Sequence, residues 1–283
     1  MKKLTAVLLI LACAAALLFG AAGGENAEIT EIGKLPDEVL VTFFDDTVFA
    51  GDSLVAMFQS YAGGRQKETP WFFSNITFKS ANSYKLRFAS YKTIPSEEMK
   101  YAHLVEKGKK VTLYQIVKNR QPARVFLLAG VNDALTTDYT KKRQGRDETG
   151  VERAVRYIRT TAEILREASP ETVLYVVSQM PVTRSFVQGT NKAKACQERW
   201  DEINETLKAL SEEIGFRYVA LDSGVRGEDG LLPMALSYDG KYHLNDDGNG
   251  IIARELLDYA QAEYEAGRWK PAAEAGAKEE GLE

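Results

Sequence analysis

Between two helix-patterned stretches lies an uninterrupted apolar run, Val173-Leu174-Tyr175-Val176-Val177, and this run constrains the fold more than any other feature. A strand without alternating polar positions must be covered on both faces, as a parallel strand in a helix-covered sheet is. The flanking stretches supply the cover. Upstream, Thr149 and Glu152 have the spacing of a capping box. Val151, Val155, Ile158, Ala162 and Leu165 then share one helical face until Pro170 stops it. Downstream, Cys196, Trp200, Ile203, Leu207, Leu210 and Ile214 form a second apolar stripe, closed by Gly215.

The same alternation extends in both directions. Val41-Thr42-Phe43-Phe44 and Thr47-Val48-Phe49 read as strand leading into Ser53, after which Leu54, Val55 and Phe58 have helical spacing. Residues 71–78, aromatic and β-branched, read as a second strand, reached through the turn-forming Gly63-Gly64. Residues 111–117 read as a helix running into the strand 125–128. Residues 216–221 form another strand, and a last helix covers about 250–266. This order predicts one α/β domain of three layers, α/β/α, with a mainly parallel sheet.

At 283 residues and 45% hydrophobic content, the chain can bury one large core. Lys2 and Lys3, the apolar residues 4–19 and the small residues Gly20-Ala21-Ala22-Gly23-Gly24 read as a signal peptide or membrane anchor over residues 1–22. A linker follows at 23–36, the domain at 37–268 and a tail at 269–283. An exported protein is expected, secreted or held at the cell envelope, touching membrane only through an uncleaved N-terminal segment. Cys13, preceded by Ile10-Leu11-Ala12, weakly resembles a lipoprotein acylation site. Without it Cys196 is the only cysteine, so no intramolecular disulfide can form. The net charge of −4, lowered by two to −6 if Lys2 and Lys3 are removed, argues against nucleic acid or anionic lipid as partner.

Parallel sheets bind ligands beyond the carboxyl ends of their strands. Ser53, Asn132 and the loop holding His243 each follow a strand or a candidate strand, so the topology can bring them to one edge. A serine becomes a good nucleophile when an imidazole can take its proton. The chain has two histidines. His103 sits in the charged segment 97–110 and reads as a surface residue, which leaves His243 as base. Asp239 would orient the imidazole, and the Ser53 backbone N–H with the Asn132 amide would donate to an oxyanion. The elbow Gly-x-Ser-x-Gly is missing, since Val55 stands two residues past Ser53. Two distant histidines and one structural cysteine offer no metal site, so no cofactor is expected.

Three segments carry a resemblance. Gly51-Asp52-Ser53-Leu54, Gly130-Val131-Asn132-Asp133 and Asp239-Gly240-Lys241-Tyr242-His243-Leu244 look like the first, third and fifth blocks of the SGNH/GDSL hydrolase family, over roughly residues 41–266. The resemblance implies a flavodoxin-like sheet in the SGNH hydrolase fold. It also implies metal-free hydrolysis of acyl esters, often acetyl groups on carbohydrates. Two departures are visible. Asp239 stands four residues before His243, where the family's acid usually stands three before; a one-residue bulge or a backbone carbonyl would have to orient the ring. The family's second block usually offers a glycine N–H, whereas this chain has Lys79-Ser80-Ala81-Asn82-Ser83; a backbone N–H among Ala81, Asn82 and Ser83, or that of Gly130, is then the candidate donor.

Tyr238, Tyr242, Arg184 and Trp71 are candidates for lining a substrate site, although at least two of Trp71-Phe72-Phe73 read as core. The expected activity is an exported serine esterase acting on an acetyl or other short acyl ester, on a carbohydrate. An O-acyltransferase on envelope sugars would use the same triad, and a non-catalytic envelope binding module would keep the same fold.

Overall fold

The computed structural model describes residues 33–136, 148–189 and 191–272. The N-terminal segment with Cys13, most of the 23–36 linker and residues 273–283 lie outside the described residues. The compact body begins at Leu35. Among the described residues no helix is long and apolar enough to cross a membrane.

Five strands form one sheet: β1 (Thr47–Gly51), β2 (Ile76–Ser80), β5 (Arg124–Leu128), β6 (Val173–Val177) and β7 (Arg217–Val219). Their spatial order is β2-β1-β5-β6-β7, and every neighbouring pair is parallel. A separate antiparallel hairpin, β3 (Leu104–Glu106) with β4 (Lys109–Val111), stands outside it. Among the described residues, five helices of eight residues or more accompany the strands: α1 (Ser53–Arg65), α2 (Leu113–Arg120), α3 (Gly150–Ala168), α4 (Asn191–Ile214) and α5 (Asp246–Glu265).

Successive residues of the central strands point to opposite faces, and each face has its own core. Val125, Leu127, Leu174 and Val176 join Ile116 of α2, Ile158 of α3 and Trp200 of α4. Phe126, Leu128, Tyr175 and Val177 join Phe58 of α1 and Leu256 of α5. Phe49, Phe126 and Tyr175 stack in a row across three strands, with centroids 4.8 and 4.4 Å apart. The expected three layers are present.

Two expected strand segments are helical or turn. Val41–Phe44 is a 3-10 helix, so the first strand consists of residues 47–51 alone. Leu40, Val41, Phe43 and Phe44 all enter one core cluster, which a helical turn permits and a strand, alternating its faces, does not. Trp71, Phe72 and Phe73 likewise precede the second strand, which starts only at Ile76. Phe72 and Phe73 are both buried on the α1 side, against Tyr61 and Phe58 respectively, and Phe73 takes φ +47°. The aromatic and β-branched composition reported burial, and the burial is achieved without strand geometry. The last strand spans three residues rather than six. The last helix starts four residues earlier than expected, because the Asn245 side chain accepts from Gly248 N–H at 3.0 Å and caps it.

His103 is buried rather than exposed. Its ring lies 4.7 Å from the Phe88 ring, and Nε2 sits 3.0 Å from the Glu98 carbonyl. The charged neighbours Glu97 to Lys110 suggested solvent, but His103 leads into the β3 hairpin, which carries the ring onto a short helix at Leu86–Ala89.

Candidate active site

The turn from β1 into α1 sets the position of Ser53. A Cβ on Gly51 would stand 2.0 Å from the carbonyl oxygen of Leu128 on the neighbouring strand, so only glycine fits. Asp52 N–H donates to that same oxygen at 3.3 Å. The Asp52 Oδ1 then accepts from Leu54 N–H at 3.0 Å and caps α1, leaving Ser53 as the helix's first residue. N–H groups at a helix start have no partner within the helix, and the dipole favours negative charge there.

The second element is the loop after β7 that carries Asp239 and His243. Ser53 Oγ lies 2.8 Å from His243 Nε2, and His243 Nδ1 lies 2.8 Å from Asp239 Oδ2. With a neutral ring, the serine hydroxyl donates to Nε2 and Nδ1–H donates to the carboxylate. The Asp239 Oδ1 also accepts from Lys241 N–H at 2.9 Å, and from His243 N–H at 3.4 Å. Partial burial works against ionisation of Asp239, but the hydrogen bonds from His243 and Lys241 outweigh it and hold the carboxyl below the ordinary carboxylate range.

Gly240 makes the four-residue spacing workable. It takes φ +71°, a left-handed conformation that absorbs the additional residue and turns Asp239 back toward the ring. Buried Thr183 fixes this turn from outside, its Oγ1–H donating to Gly240 O at 2.5 Å and its N–H to Lys241 O at 2.7 Å. Tyr238 N–H closes the loop on His243 O at 2.8 Å. Thr183 escaped the sequence reading because its partners are backbone carbonyls more than fifty residues away.

Asn132 arrives from the exit of β5, where Gly130 O accepts from Asp133 N–H and Ala134 N–H, both at 3.0 Å. Its Nδ2 donates to Asp52 Oδ2 at 3.0 Å and to Tyr84 O at 3.3 Å. Asp52 thus holds both the serine's helix and the amide beside it. Burial pushes the Asp52 carboxyl up to about 7, with the Coulombic effect of Asp133 adding to it and the bonds from Leu54 and Asn132 opposing it. Burial also pushes Asp133 up to about 6, although Leu86 N–H donates to its Oδ2 at 2.8 Å.

The remaining sequence candidates separate into near and far. Ala81 is engaged, since its N–H donates to Gly51 O at 3.1 Å; exposed Asn82 and Ser83 follow it at the same sheet edge. Tyr238, 76% exposed, lines a cleft of about 750 Å³ with Asp239 and His243, together with Met57, Ser60 and Asp246. Tyr242 does not line that cleft. Its ring stands behind the imidazole at 4.5 Å, wedged against Phe186 and Trp200. Arg184 is turned to Asp229, with Nη2 2.6 Å from Oδ2, and is absent from the cleft wall. Trp71 also stands away from this cleft, while Phe72 and Phe73 are core as expected. Among the described residues no three His, Cys, Asp or Glu side chains gather where a metal ion could be held.

The turn after β1 with Ser53, the Asn-Asp exit of β5 and the loop holding His243 thus meet at one edge of a parallel sheet. The profile of the GDSL-like lipase/acylhydrolase family matches residues 49–251, and the chain belongs to that family. The family carries esterase and hydrolase activity. Among curated proteins none matches the chain. Solved structures share the fold. A protein from Parabacteroides merdae assigned to the GDSL-like lipases superposes with a TM-score of 0.52 at 17% identity, covering 77% of this chain and 96% of its own. A Bacteroides fragilis protein assigned as an acylhydrolase gives 0.51 at 17% identity, covering 77% of this chain and 86% of its own. A GDSL-like lipase from Bacteroides thetaiotaomicron gives 0.50 at 16%, covering 77% and 88%.

Proposed function

We propose that this chain is an exported serine esterase that hydrolyses acetyl and other short acyl esters, carried on a carbohydrate, through an acyl-enzyme on Ser53. The observation that carries this reading is the continuous chain of 2.8 Å contacts from Ser53 Oγ through the His243 ring to Asp239. Ser53 Oγ attacks the ester carbonyl carbon while His243 Nε2 takes the hydroxyl proton, and Asp239 stabilises the imidazolium. The oxyanion receives the Ser53 N–H and an Asn132 amide N–H, the latter exchanged from its longer bond to Tyr84 O. A further N–H from Gly130, Asn82 or Ser83 completes the set. His243 returns its proton to the alcohol as the carbon–oxygen bond breaks. Water, deprotonated by His243, then releases the acid and restores Ser53.

Export is supported by Lys2, Lys3 and the apolar residues 4–19.

The test is hydrolysis of an aryl acetate with covalent labelling by an aryl fluorophosphonate. Ser53→Ala and His243→Ala are each expected to lower kcat on the order of a thousandfold or more while the protein still folds. Wild-type turnover by His243→Ala, or no labelling of folded wild type at Ser53, would overturn the mechanism. Export is read separately, by finding the native chain in the envelope or medium fraction.

A further inference from the structure

The net charge of −4 averages over an uneven distribution. Residues 79–120, from the end of β2 through the β3–β4 hairpin to the end of α2, hold ten Lys and Arg against three Glu, so one corner of an acidic chain is strongly basic. The carboxylates that meet this corner are mostly engaged. Glu98 pairs with Arg87 at 2.9 Å, Glu106 with Arg120 at 2.7 Å and Lys79 at 3.4 Å, and Glu167 of α3 with Lys92. Buried Asp133 sits in the field of Lys85 and Arg87, which leaves Glu97 as the exposed acid. Among the described residues Lys100, Lys107, Lys109 and Lys110 are exposed and make no ion pair. Apolar side chains project among them. Met99, Tyr101 and Val105 are 45, 42 and 49% exposed, and they are contiguous. Lys110 stands opposite Val105 across the hairpin and therefore shares its face. The Lys110 Nζ donates to the Met99 and Tyr101 carbonyls at 2.6 and 2.7 Å, while Lys100 Nζ lies 5.2 Å from the centre of the Tyr101 ring. Lys107 and Gly108, both with positive φ, make the tight two-residue turn that holds the hairpin tip.

We propose that this hairpin face docks on a membrane surface containing anionic lipid, with the lysines at the headgroups and Met99, Tyr101 and Val105 entering the boundary above the acyl chains. Charge alone would suit any polyanion, and the apolar side chains select the lipid. A dissolved polyanion leaves Met99 and Val105 in water, whereas a bilayer takes up apolar side chains just beneath its layer of anions. A tyrosine suits that level, its ring toward the chains and its hydroxyl among the headgroups. The lipid is a support here and not a substrate. The hairpin also lies close to the candidate site. Lys79 Nζ donates to Val105 O at 3.3 Å, tying the hairpin to the carboxyl end of β2, and the next residue, Ser80, is the register partner of Gly51, two residues before Ser53. Docking therefore brings the sheet edge that carries Ser53 near the lipid surface.

The test uses the full-length chain with Cys13→Ser and Ala102→Cys, so that an environment-sensitive dye attaches beside exposed Tyr101 and not at buried Cys196. Emission is read with vesicles of phosphatidylcholine alone and with phosphatidylglycerol added, each with brominated lipid as quencher. Attachment through the N-terminal apolar residues would be common to both vesicles, so the difference between them reads the hairpin. A dye on Glu202→Cys of α4, which packs by β7 at the opposite sheet edge, is the control and is expected to stay unchanged. At residue 102 a blue shift and quenching are expected with phosphatidylglycerol only, fading as salt is added. Lys107→Gln with Lys109→Gln, and independently Met99→Ser with Val105→Ser, are each expected to lower that response about tenfold at fixed lipid while the urea midpoint stays at the wild-type value. Equal responses to the two vesicles, no response to either, or an undiminished response in either folded pair would overturn the proposal. So would a blue shift with dissolved polyphosphate that brominated lipid does not quench, which would mark a polyanion site instead.

Discussion

The two elements that meet at the candidate site are held in different ways. Gly51 and Asp52 of the nucleophile turn are buried in the sheet edge, fixed by a backbone contact that leaves no room for a side chain. The loop from Tyr238 to His243 is half-exposed, and hydrogen bonds hold it: Thr183 to the Gly240 and Lys241 carbonyls, and Asp239 to the Lys241 N–H. Steric exclusion and burial therefore locate the nucleophile, and a small set of replaceable hydrogen bonds locates its base. The first should fail abruptly when altered and respond to pH through its buried carboxyl. The second should loosen by degrees.

The largest difference between the two regions is expected from Gly51→Ala. With the new Cβ only 2.0 Å from Leu128 O, β1 and β5 must separate, and unfolding by urea should show a loss of roughly 3 kcal/mol or more. A loss below 1 kcal/mol would show that the turn is as adjustable as the loop.

A smaller effect follows from Asp52. Its folded carboxyl is raised from an ordinary 3.8 to about 7, so between those values the native state holds a proton that the unfolded chain releases. The stability tied to this group is fully present below about pH 4 and is lost as the pH rises through about 7, by on the order of a few kcal/mol. Urea midpoints at pH 5 and pH 8 should fall in that order for wild type. Asp52→Ser keeps a helix-capping side chain but removes the titration, and should show a smaller drop; Asp133, raised in the same direction, remains in both proteins. Equal drops would assign the dependence elsewhere.

The smallest effect belongs to the loop. Thr183→Val keeps the buried shape but leaves Gly240 O without its hydroxyl partner, which should cost about 1 kcal/mol of stability. With the acid-base turn less tightly held, kcat on an aryl acetate should fall by about tenfold with little change in KM. Restoration by Thr183→Ser would assign the effect to the hydroxyl, whereas an unchanged kcat in Thr183→Val would show that Asp239 and Gly240 position His243 without help.

The sheet and its major helices were legible because their signals are local and repeated. Val173–Val177 had to be covered on both faces, and the stripes on α3 and α4 left little choice of partner. Val41–Phe44 and residues 71–73 misled for a definite reason. Aromatic and β-branched side chains report burial, but only backbone geometry decides whether consecutive residues share a face. His103 misled in the opposite sense, since the charge of its neighbours carried no information about Phe88, which is adjacent only in space.

Within the candidate site, Ser53, Asn132 and His243 could be placed at one edge from order alone, because each follows a strand of a parallel sheet. The sequence by itself determined the architecture, the short set of side chains able to do the chemistry, and the question raised by a spacing of four between Asp239 and His243. Tertiary structure decided the answer to that question, through a bend at Gly240 and the reach of Thr183. It likewise decided that Ala81 is engaged, that Tyr242 stands behind the imidazole, and that Trp71 stands away from the cleft beside His243. The division has a physical cause. Periodicity and capping act within a few residues and are written along the chain, whereas hydrogen bonds to distant carbonyls and the walls of a groove arise only when separate elements pack.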